Sequence, residues 1–314
     1  MAMTVEAVTK GLTREQWLKL RNKGIGGSDA AAVAGLNPWK SKVAVFLEKT
    51  GQIEQDEAGE AAYWGNQLED LVAREFASRT SLKVQRSNKL YRHPDHPFML
   101  GNVDRLITDE NKRKGILEVK TANAFAKEDW EGERIPDHYA IQLQHYLSVL
   151  GLDYGFFAVL IGGNTFKYRY VERDETVIKH LIDIERNFWT EHVMKGIAPM
   201  VDGSAASTDL LNHLYPTSKP ESSILIPDDM ETVINDLYEA QEEVKAAEGR
   251  LDACKNLIKS LMGENEIAYF RGEKAFTWKS SDTTSLETKK LKAEMPDVYE
   301  RFAVTKSVRR FLVK

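Results

Sequence analysis

Asp104, Glu118 and Lys120 are the residues whose types and spacing offer chemistry. Glu118 and Lys120 lie in GILEVKTA (115–122), where Ile116, Leu117 and Val119 favour a β-strand that Gly115 begins. Period-two alternation puts the acid and the amine on one face. Upstream, GNVDRLI (101–107) reads as a strand with Asp104 in its middle, and the polar turn TDENKRKG (108–115) joins the two as a hairpin. Asp104 then stands beside Glu118, with Lys120 next along. Two converging carboxylates suit a Mg²⁺ ion, which takes hard oxygen ligands, few of them from protein, and keeps positions for water and a phosphate oxygen. Such an ion makes a coordinated water a better nucleophile and offsets charge on a phosphate. Lys120 would orient that water or neutralise the developing charge. The same spacing also arises by chance and suits a hairpin with an exposed salt bridge. Placement in otherwise apolar strands favours a site, because unpaired carboxylates are costly there.

The surrounding elements follow from periodicity and punctuation. Residues 13–21 (TREQWLKLR) predict a short helix with Thr13 as N-cap. GIGGSDAAAVAG (24–35) predicts a glycine-rich turn, then an Ala-rich helix capped by Ser28 or Asp29 and ended by Gly35. SKVAVFLEKTG (41–51) gives a helix closing at Gly51, followed by an acidic loop over 52–60. A longer helix is expected over 60–79, and strands near 82–91, 100–107 and 115–121. Asp137 to Leu150 forms an amphipathic helix. YGFFAVLIGG (154–163) is a fully buried strand, FKYRYVER (166–173) its antiparallel neighbour, and a helix covers 174–194. The core is thus helices around a mixed sheet.

Residues 199–227 carry Pro199, Gly203, Pro216, Pro220 and Pro227 among many Ser and Thr, and read as a linker. This divides the chain into a core over 1–198, the linker, and an accessory module over 228–314. In the module, apolar residues from Met230 to Leu261 recur at steps of three and four, a coiled-coil seam over roughly four heptads. Gly263 ends it. EIAYFRGEKAFTWK (266–279) reads as a hairpin turning at Arg271–Gly272, and SVRRFLVK (307–314) as a last strand.

At 314 residues the chain allows two domains, and 42% hydrophobic with 29% charged residues allows a sizeable core. The single cysteine, Cys254, excludes an internal disulfide and a multi-cysteine zinc site. With no apolar leader or long apolar run, the expectation is a soluble, cytoplasmic protein. A net charge of −5 leaves any nucleic-acid contact to local patches. One such patch is the tail from Lys279 to Lys314, with nine Lys/Arg against five Asp/Glu.

Asp104…Glu118-x-Lys120 resembles the PD-(D/E)xK nuclease superfamily. LRNKGIGGSDAAAVAGLNPW (20–39), WGNQLEDLVAREF (64–76), GNVDRLI, ILEVKTA and IQLQHYLSVLG (141–151) follow the order and spacing of the YqaJ-type viral recombinase nucleases, relatives of lambda exonuclease. The resemblance covers roughly residues 14–195, and Val103 stands where the superfamily often has proline. It implies an α/β fold: a restriction-endonuclease-like core with a mixed central sheet flanked by helices, extended here by the C-terminal coiled coil and small β element. It implies that Asp104, Glu118 and the backbone carbonyl of Val119 hold Mg²⁺, with Mn²⁺ able to substitute, and that Lys120 is catalytic. Glu69 matches a helix acid reaching the metal, and Gln142, with Gln144 behind it, a glutamine-bearing helix beside the site. Either glutamine could instead face solvent, and Tyr146 could be core. Arg21 and Ser28 match residues that hold a 5′-terminal phosphate, with Lys23 assisting. A guanidinium binds phosphate bidentately and a helix N-terminus attracts anions. The partners implied are double-stranded DNA ends, a single-strand annealing recombinase of the RecT or Beta type, and further copies of the chain in a trimeric ring.

Other chemistries fit less well. GIGGS lacks the spacing of a nucleotide-binding loop and follows no apolar strand. HPDH (93–96) has two histidines but no partner cysteines for zinc. The readings that remain are a Mg²⁺-dependent 5′→3′ double-strand DNA exonuclease of phage-type recombination, an endonuclease or single-strand nuclease on the same core, and a non-catalytic DNA-end-binding scaffold.

Overall fold

The computed structural model describes residues 3–54, 59–305 and 308–313, in two compact units, 1–215 and 216–314. The first unit begins with β1 (Thr4–Val8) and α1 (Arg14–Arg21). Thr13 caps α1 as expected, in a reciprocal capping box with Gln16. Next come α2 (Gly27–Val33), α3 (Lys42–Lys49) and α4 (Glu60–Thr80). Residues 55–58 of the expected acidic loop lie outside the described residues. The cap of α2 is Gly26, not Ser28 or Asp29. The helix starts early because a Cβ on residue 27 would lie 2.5 Å from the Tyr146 ring, so only glycine lets the first turn pass there.

Strands β2 (Lys83–Arg86), β3 (Lys89–Arg92), β4 (Leu100–Gly101) and β5 (Arg105–Thr108) follow. Two of the expected strands are therefore each broken in two. β3 pairs with β1 on one side and β4 on the other in a three-stranded sheet, while β2 and β5 join a five-stranded one. Both breaks fall at the same level, where the Ser87 amide donates to the Asp104 carbonyl. Asp104 thus occupies a bend before β5 rather than the middle of a strand. The five-stranded sheet is completed by β6 (Lys114–Ala122), β7 (Tyr154–Ile161) and β8 (Thr165–Glu172), in the order β2-β5-β6-β7-β8. β6 runs antiparallel to β5 and parallel to β7, so the sheet is mixed. The crossover from β6 to β7 carries α5 (Asp137–Leu150).

Alternation along β6 sorts its side chains. Ile116 packs with Leu143, Leu147 and Phe157 on the α5 side. Leu117 and Val119 pack with Val72 and Phe76 of α4 on the other. Glu118 and Lys120 therefore face α5. Helix α6 (Glu175–Asn187) follows β8, and Leu181 on it packs with Ala30, Val45 and Phe46 of α2 and α3. Helix α7 (Ala205–Leu214) lies within the segment read as linker and buries Ala206 and Leu210, which places the division between units after Tyr215.

The second unit comprises α8 (Glu231–Met262), a hairpin of β9 (Ile267–Phe270) and β10 (Glu273–Thr277), α9 (Thr288–Glu294) and α10 (Pro296–Phe302). The hairpin turns at Arg271–Gly272, both at positive φ, as expected. Helix α8 passes through Gly249 unbroken. Val308–Val313 form no strand, against the expectation of a last one, and Ser307 and Lys314 lie outside the described residues. No described helix is long and apolar enough to cross a membrane.

Candidate active site

The bend at Asp104 aims its backbone and side chain at the edge of β6. Its carboxylate accepts from the Val119 amide at 2.9 Å, and its own amide donates to Glu118 Oε1 at 3.3 Å. The β5–β6 ladder ends at Arg105 opposite Leu117, so beyond that point this edge of β6 has no strand partner. In a strand a residue's N–H and C=O point to the same side. The Val119 carbonyl therefore faces the side on which Asp104 sits.

Glu118 is 2% exposed. Burial and the neighbouring Asp104 carboxylate push its pKa up to about 8, against the pull of Lys120. Lys120 lies 3.4 Å from Glu118 Oε2 and donates to Gln142 Oε1 at 3.1 Å, with its ammonium 4.9 Å from the Tyr139 ring centre. Burial works against its charge, but Glu118 and Asp104 outweigh that and raise its pKa. Gln142 donates to Glu118 Oε2 at 3.2 Å and to the Tyr146 hydroxyl at 3.3 Å. Two acids held side by side with one amine are short of positive charge. Their hard oxygens, with the Val119 carbonyl on the open edge, fit a divalent cation of the magnesium class. Among the described residues no group of three or more acidic, histidine or cysteine side chains forms a closed metal cage. Magnesium does not need one.

Glu69 comes from α4, on the opposite side of the sheet. Arg105 holds it at 2.5 Å and also donates to the Asp104 carbonyl at 2.8 Å. Burial and the Asp104 charge raise the Glu69 pKa. Arg105 also pairs with Asp70 and is 3% exposed. The sequence reading missed this arginine, although a charged residue in the apolar run DRLI was a visible signal.

The glycine-rich segment builds a second feature. Arg21 donates to Ser28 Oγ at 2.6 Å and to Asp29 at 3.1 Å. The two border a cavity of about 90 Å³ with Trp17, Gly27 and Tyr146. Behind it, the fully buried Asp29 also receives Lys40 at 3.0 Å and Lys49 at 2.8 Å. Burial alone would raise the Asp29 pKa, but the three cations hold it well below the usual carboxylate range. In the sequence Asp29 was read only as a possible helix cap, and Lys40 and Lys49 were not singled out; a lone acid in an Ala-rich helix was the available clue.

Two expected residues stand elsewhere. Gln144 donates to the Glu172 carbonyl at 2.7 Å and accepts from the Asp174 amide at 3.0 Å. It ties α5 to the loop after β8, because residues two apart on a helix point to nearly opposite sides. Lys23 is exposed, and its charge acts on Glu6.

The family description "YqaJ-like viral recombinase domain" matches residues 16–153, a span holding every residue above except Glu6, Glu172 and Asp174. The chain is 40% identical over 313 residues to the uncharacterized protein YqaJ of Bacillus subtilis (strain 168), spanning 99% of this chain and 97% of that one. It is 23% identical over 151 residues to the uncharacterized protein R354 of Acanthamoeba polyphaga mimivirus, or 44% of this chain and 27% of that one. Its fold is similar to that of an alkaline exonuclease, LHK-Exo, solved in complex with dAMP, with a TM-score of 0.50 and 20% identity over 58% of this chain and 94% of that one. The fold shared with that exonuclease is a mixed α/β core with a central sheet flanked by helices, as expected.

Proposed function

The chain belongs to the YqaJ-like viral recombinase family, and from that membership and its site we propose that it is a Mg²⁺-dependent nuclease degrading double-stranded DNA from its ends, 5′ to 3′, in phage-type homologous recombination. The observation that carries this reading is the convergence of Asp104, Glu118, Lys120 and Gln142 at the open edge of β6, linked through Tyr146 to the Arg21–Ser28 cavity. Asp104, Glu118 and the Val119 carbonyl would hold the ion, with Glu69 nearby. Bound there, Mg²⁺, or Mn²⁺ in its place, supplies Lewis acidity toward water and phosphate oxygen. Lys120 stays protonated beside the carboxylates and offers N–H groups to the scissile phosphate. Gln142 fixes the ammonium by accepting one of its hydrogens. Arg21 offers a guanidinium to a terminal 5′-phosphate, and Ser28 an adjacent hydroxyl.

A nuclease working from ends exposes 3′ single strand, which fits a single-strand annealing recombinase as partner and the host cytoplasm as its place. A ring of subunits around the duplex fits the same reading. Linear duplexes with 5′-phosphate or 5′-hydroxyl ends, covalently closed circles and single strands, each incubated with Mg²⁺ or EDTA, test it. The expected result is Mg²⁺-dependent loss of linear duplex only, fastest from 5′-phosphate ends. Cleavage of closed circles would make the chain an endonuclease, and no cleavage in Mg²⁺ a DNA-end-binding protein.

A further inference from the structure

Helix α8 runs 32 residues, about 48 Å at 1.5 Å per residue. Together with Met230 just before it, its seam residues fall in strict heptads. Met230, Leu237, Val244, Leu251 and Ile258 occupy one seam position, and Val233, Ala240, Ala247, Cys254 and Leu261 the other. Val244 is 57% exposed, Leu251 53% and Leu261 80%. An amphipathic helix with a bare seam is marginal in water and needs a partner.

We propose that the partner is α8 of a second copy of this chain, laid antiparallel about a two-fold axis near residues 245 and 246. This goes beyond the nuclease reading and holds whether or not the core cuts DNA. Two features of the helix set the direction. The first is size. Antiparallel pairing places each residue of one seam position against the other position of the second copy, so Leu237 meets Cys254, Val244 meets Ala247 and Leu251 meets Ala240. Every central layer then joins a larger and a smaller side chain. Parallel pairing instead stacks like on like and leaves gaps where Ala240 and Ala247 meet themselves.

The second feature is charge. The flanks of the seam carry Glu243 and Glu248 on the N-terminal side of the axis or close to it, and Arg250 and Lys255 toward the C-terminus. Flanking residues decide orientation in coiled coils. In the antiparallel pair Glu243 faces Arg250 of the second copy, and symmetry makes that contact twice. In the parallel pair Glu243 would face Glu248 and Arg250 would face Lys255, like against like both times. A closed two-fold pair of this kind also uses the seam up, leaving no open end for further addition.

Cys254 is the single cysteine among the 314 residues and supplies the test. Under mild oxidation, Leu237→Cys should give a covalent dimer on a non-reducing gel, through bonds from residue 237 to Cys254 of the second copy. The wild type and the double variant L237C/C254S should give none. A covalent dimer of either would mean a parallel pair and overturn the proposal. No covalent dimer of Leu237→Cys would also overturn it, and would assign the seam to another surface or another protein. The charge test has opposite signs for the two directions. Glu243→Arg should weaken self-association roughly fivefold or more, since two ion pairs become repulsions, and adding Arg250→Glu should restore it. Tighter association of Glu243→Arg alone would set the new guanidinium against Glu248, as in a parallel pair, and refute the antiparallel one.

Discussion

Replacing Glu118 by Gln should stabilise the protein in the absence of metal while abolishing its activity. Glu118 is buried, and its pKa in the folded chain is about 8 against an ordinary 4.5. Between those values the folded state holds a proton that the unfolded state has released, so stability falls as pH rises through the window. Each unit corresponds to about 1.4 kcal/mol. The ionised side chain therefore costs about 3 kcal/mol at pH 7 and about 5 kcal/mol above pH 8, net of the attraction of Lys120. A neutral amide removes that cost, less what is lost when one of the two acceptor oxygens facing the Asp104 amide, Lys120 and Gln142 becomes a donor. A net gain of about 2 kcal/mol at pH 8 would raise the melting temperature by roughly 4–8 °C for a unit of this size. The gain should shrink steadily toward pH 5. Added Mg²⁺ should raise the melting temperature of the wild type, by about 2.7 kcal/mol at one hundred times the dissociation constant, and leave Glu118→Gln unmoved. Thermal melts from pH 5 to 9 in EDTA and in Mg²⁺ read all of this. A variant that melts at or below the wild type in EDTA at pH 8, or that gains as much from Mg²⁺, would refute the assignment of Glu118 as a strained metal ligand.

Lys120→Ala should keep the Mg²⁺-dependent melting shift and lose roughly a hundredfold or more in turnover, as loss of a charge-stabilising donor does; a near-normal rate would remove Lys120 from the chemistry. Arg21→Ala should slow digestion from 5′-phosphate ends roughly 10- to 100-fold more than from 5′-hydroxyl ends, the loss of a charge-assisted contact of about 1.5–3 kcal/mol. Equal slowing in end-labelled assays would show that Arg21 does not read the phosphate. Gly27→Ala would put a Cβ 2.5 Å from the Tyr146 ring and 3.1 Å from Gln142, and should cost about 1–3 kcal/mol in a denaturant melt together with activity. Wild-type behaviour would mean that α2 and α5 shift apart freely. A chain ending at residue 215 should retain metal-dependent cleavage, because every residue of the candidate site lies in the first unit; a folded but inactive fragment would show that residues 216–314 complete the enzyme.

The helices were legible in the sequence because each has a local period and a local stop. Thr13 caps α1, and a positive-φ glycine follows the ends of α2 and α3 at Gly35 and Gly51. The hairpin at Arg271–Gly272 was legible for the same reason. The strands 82–91 and 100–107 were misread because sheet membership is not local. Residues 83–86 and 89–92 share composition, yet the chain changes sheets between them, and only the pairing at Ser87 and Asp104 decides where. Residues 199–227 read as a linker because their prolines flank Ala205–Leu214 without entering it, so composition alone hides that helix. Within the site, the residues that share a strand or helix face could be grouped by spacing. Arg105, Asp29, Lys40 and Lys49 act across elements, and no period in the sequence connects Lys49 to Asp29, twenty positions apart and 2.8 Å away.

The Arg21–Ser28 cavity and the Asp104–Glu118 site are held in fixed relation by very few atoms. The amide of Gln142 is fully spent. Its oxygen accepts from Lys120, one N–H goes to Glu118 and the other to Tyr146. That leaves a single orientation for the amide, since exchanging its oxygen and nitrogen would set an N–H against the Lys120 ammonium. The Tyr146 ring in turn presses on Gly27, one residue before Ser28. Burial keeps the Tyr146 phenol well above its ordinary pKa and therefore neutral, so no charge on it competes for Arg21. His145, the next residue on α5, lies between the Glu185 carboxylate at 2.8 Å and the Leu100 carbonyl at 2.9 Å. Two acceptors facing both ring nitrogens favour the imidazolium, and burial is outweighed by Glu185 in raising its pKa. This buried pair anchors α5 to α6 and to β4. Helix α5 therefore cannot rotate to improve one contact of Gln142 or Tyr146 without losing another. A rigid spacer of one glutamine and one tyrosine between the Arg21–Ser28 cavity and the Asp104–Glu118 carboxylates is what the proposed cutting from a DNA end would require, because the bond to be cut would then be chosen by distance rather than by base identity.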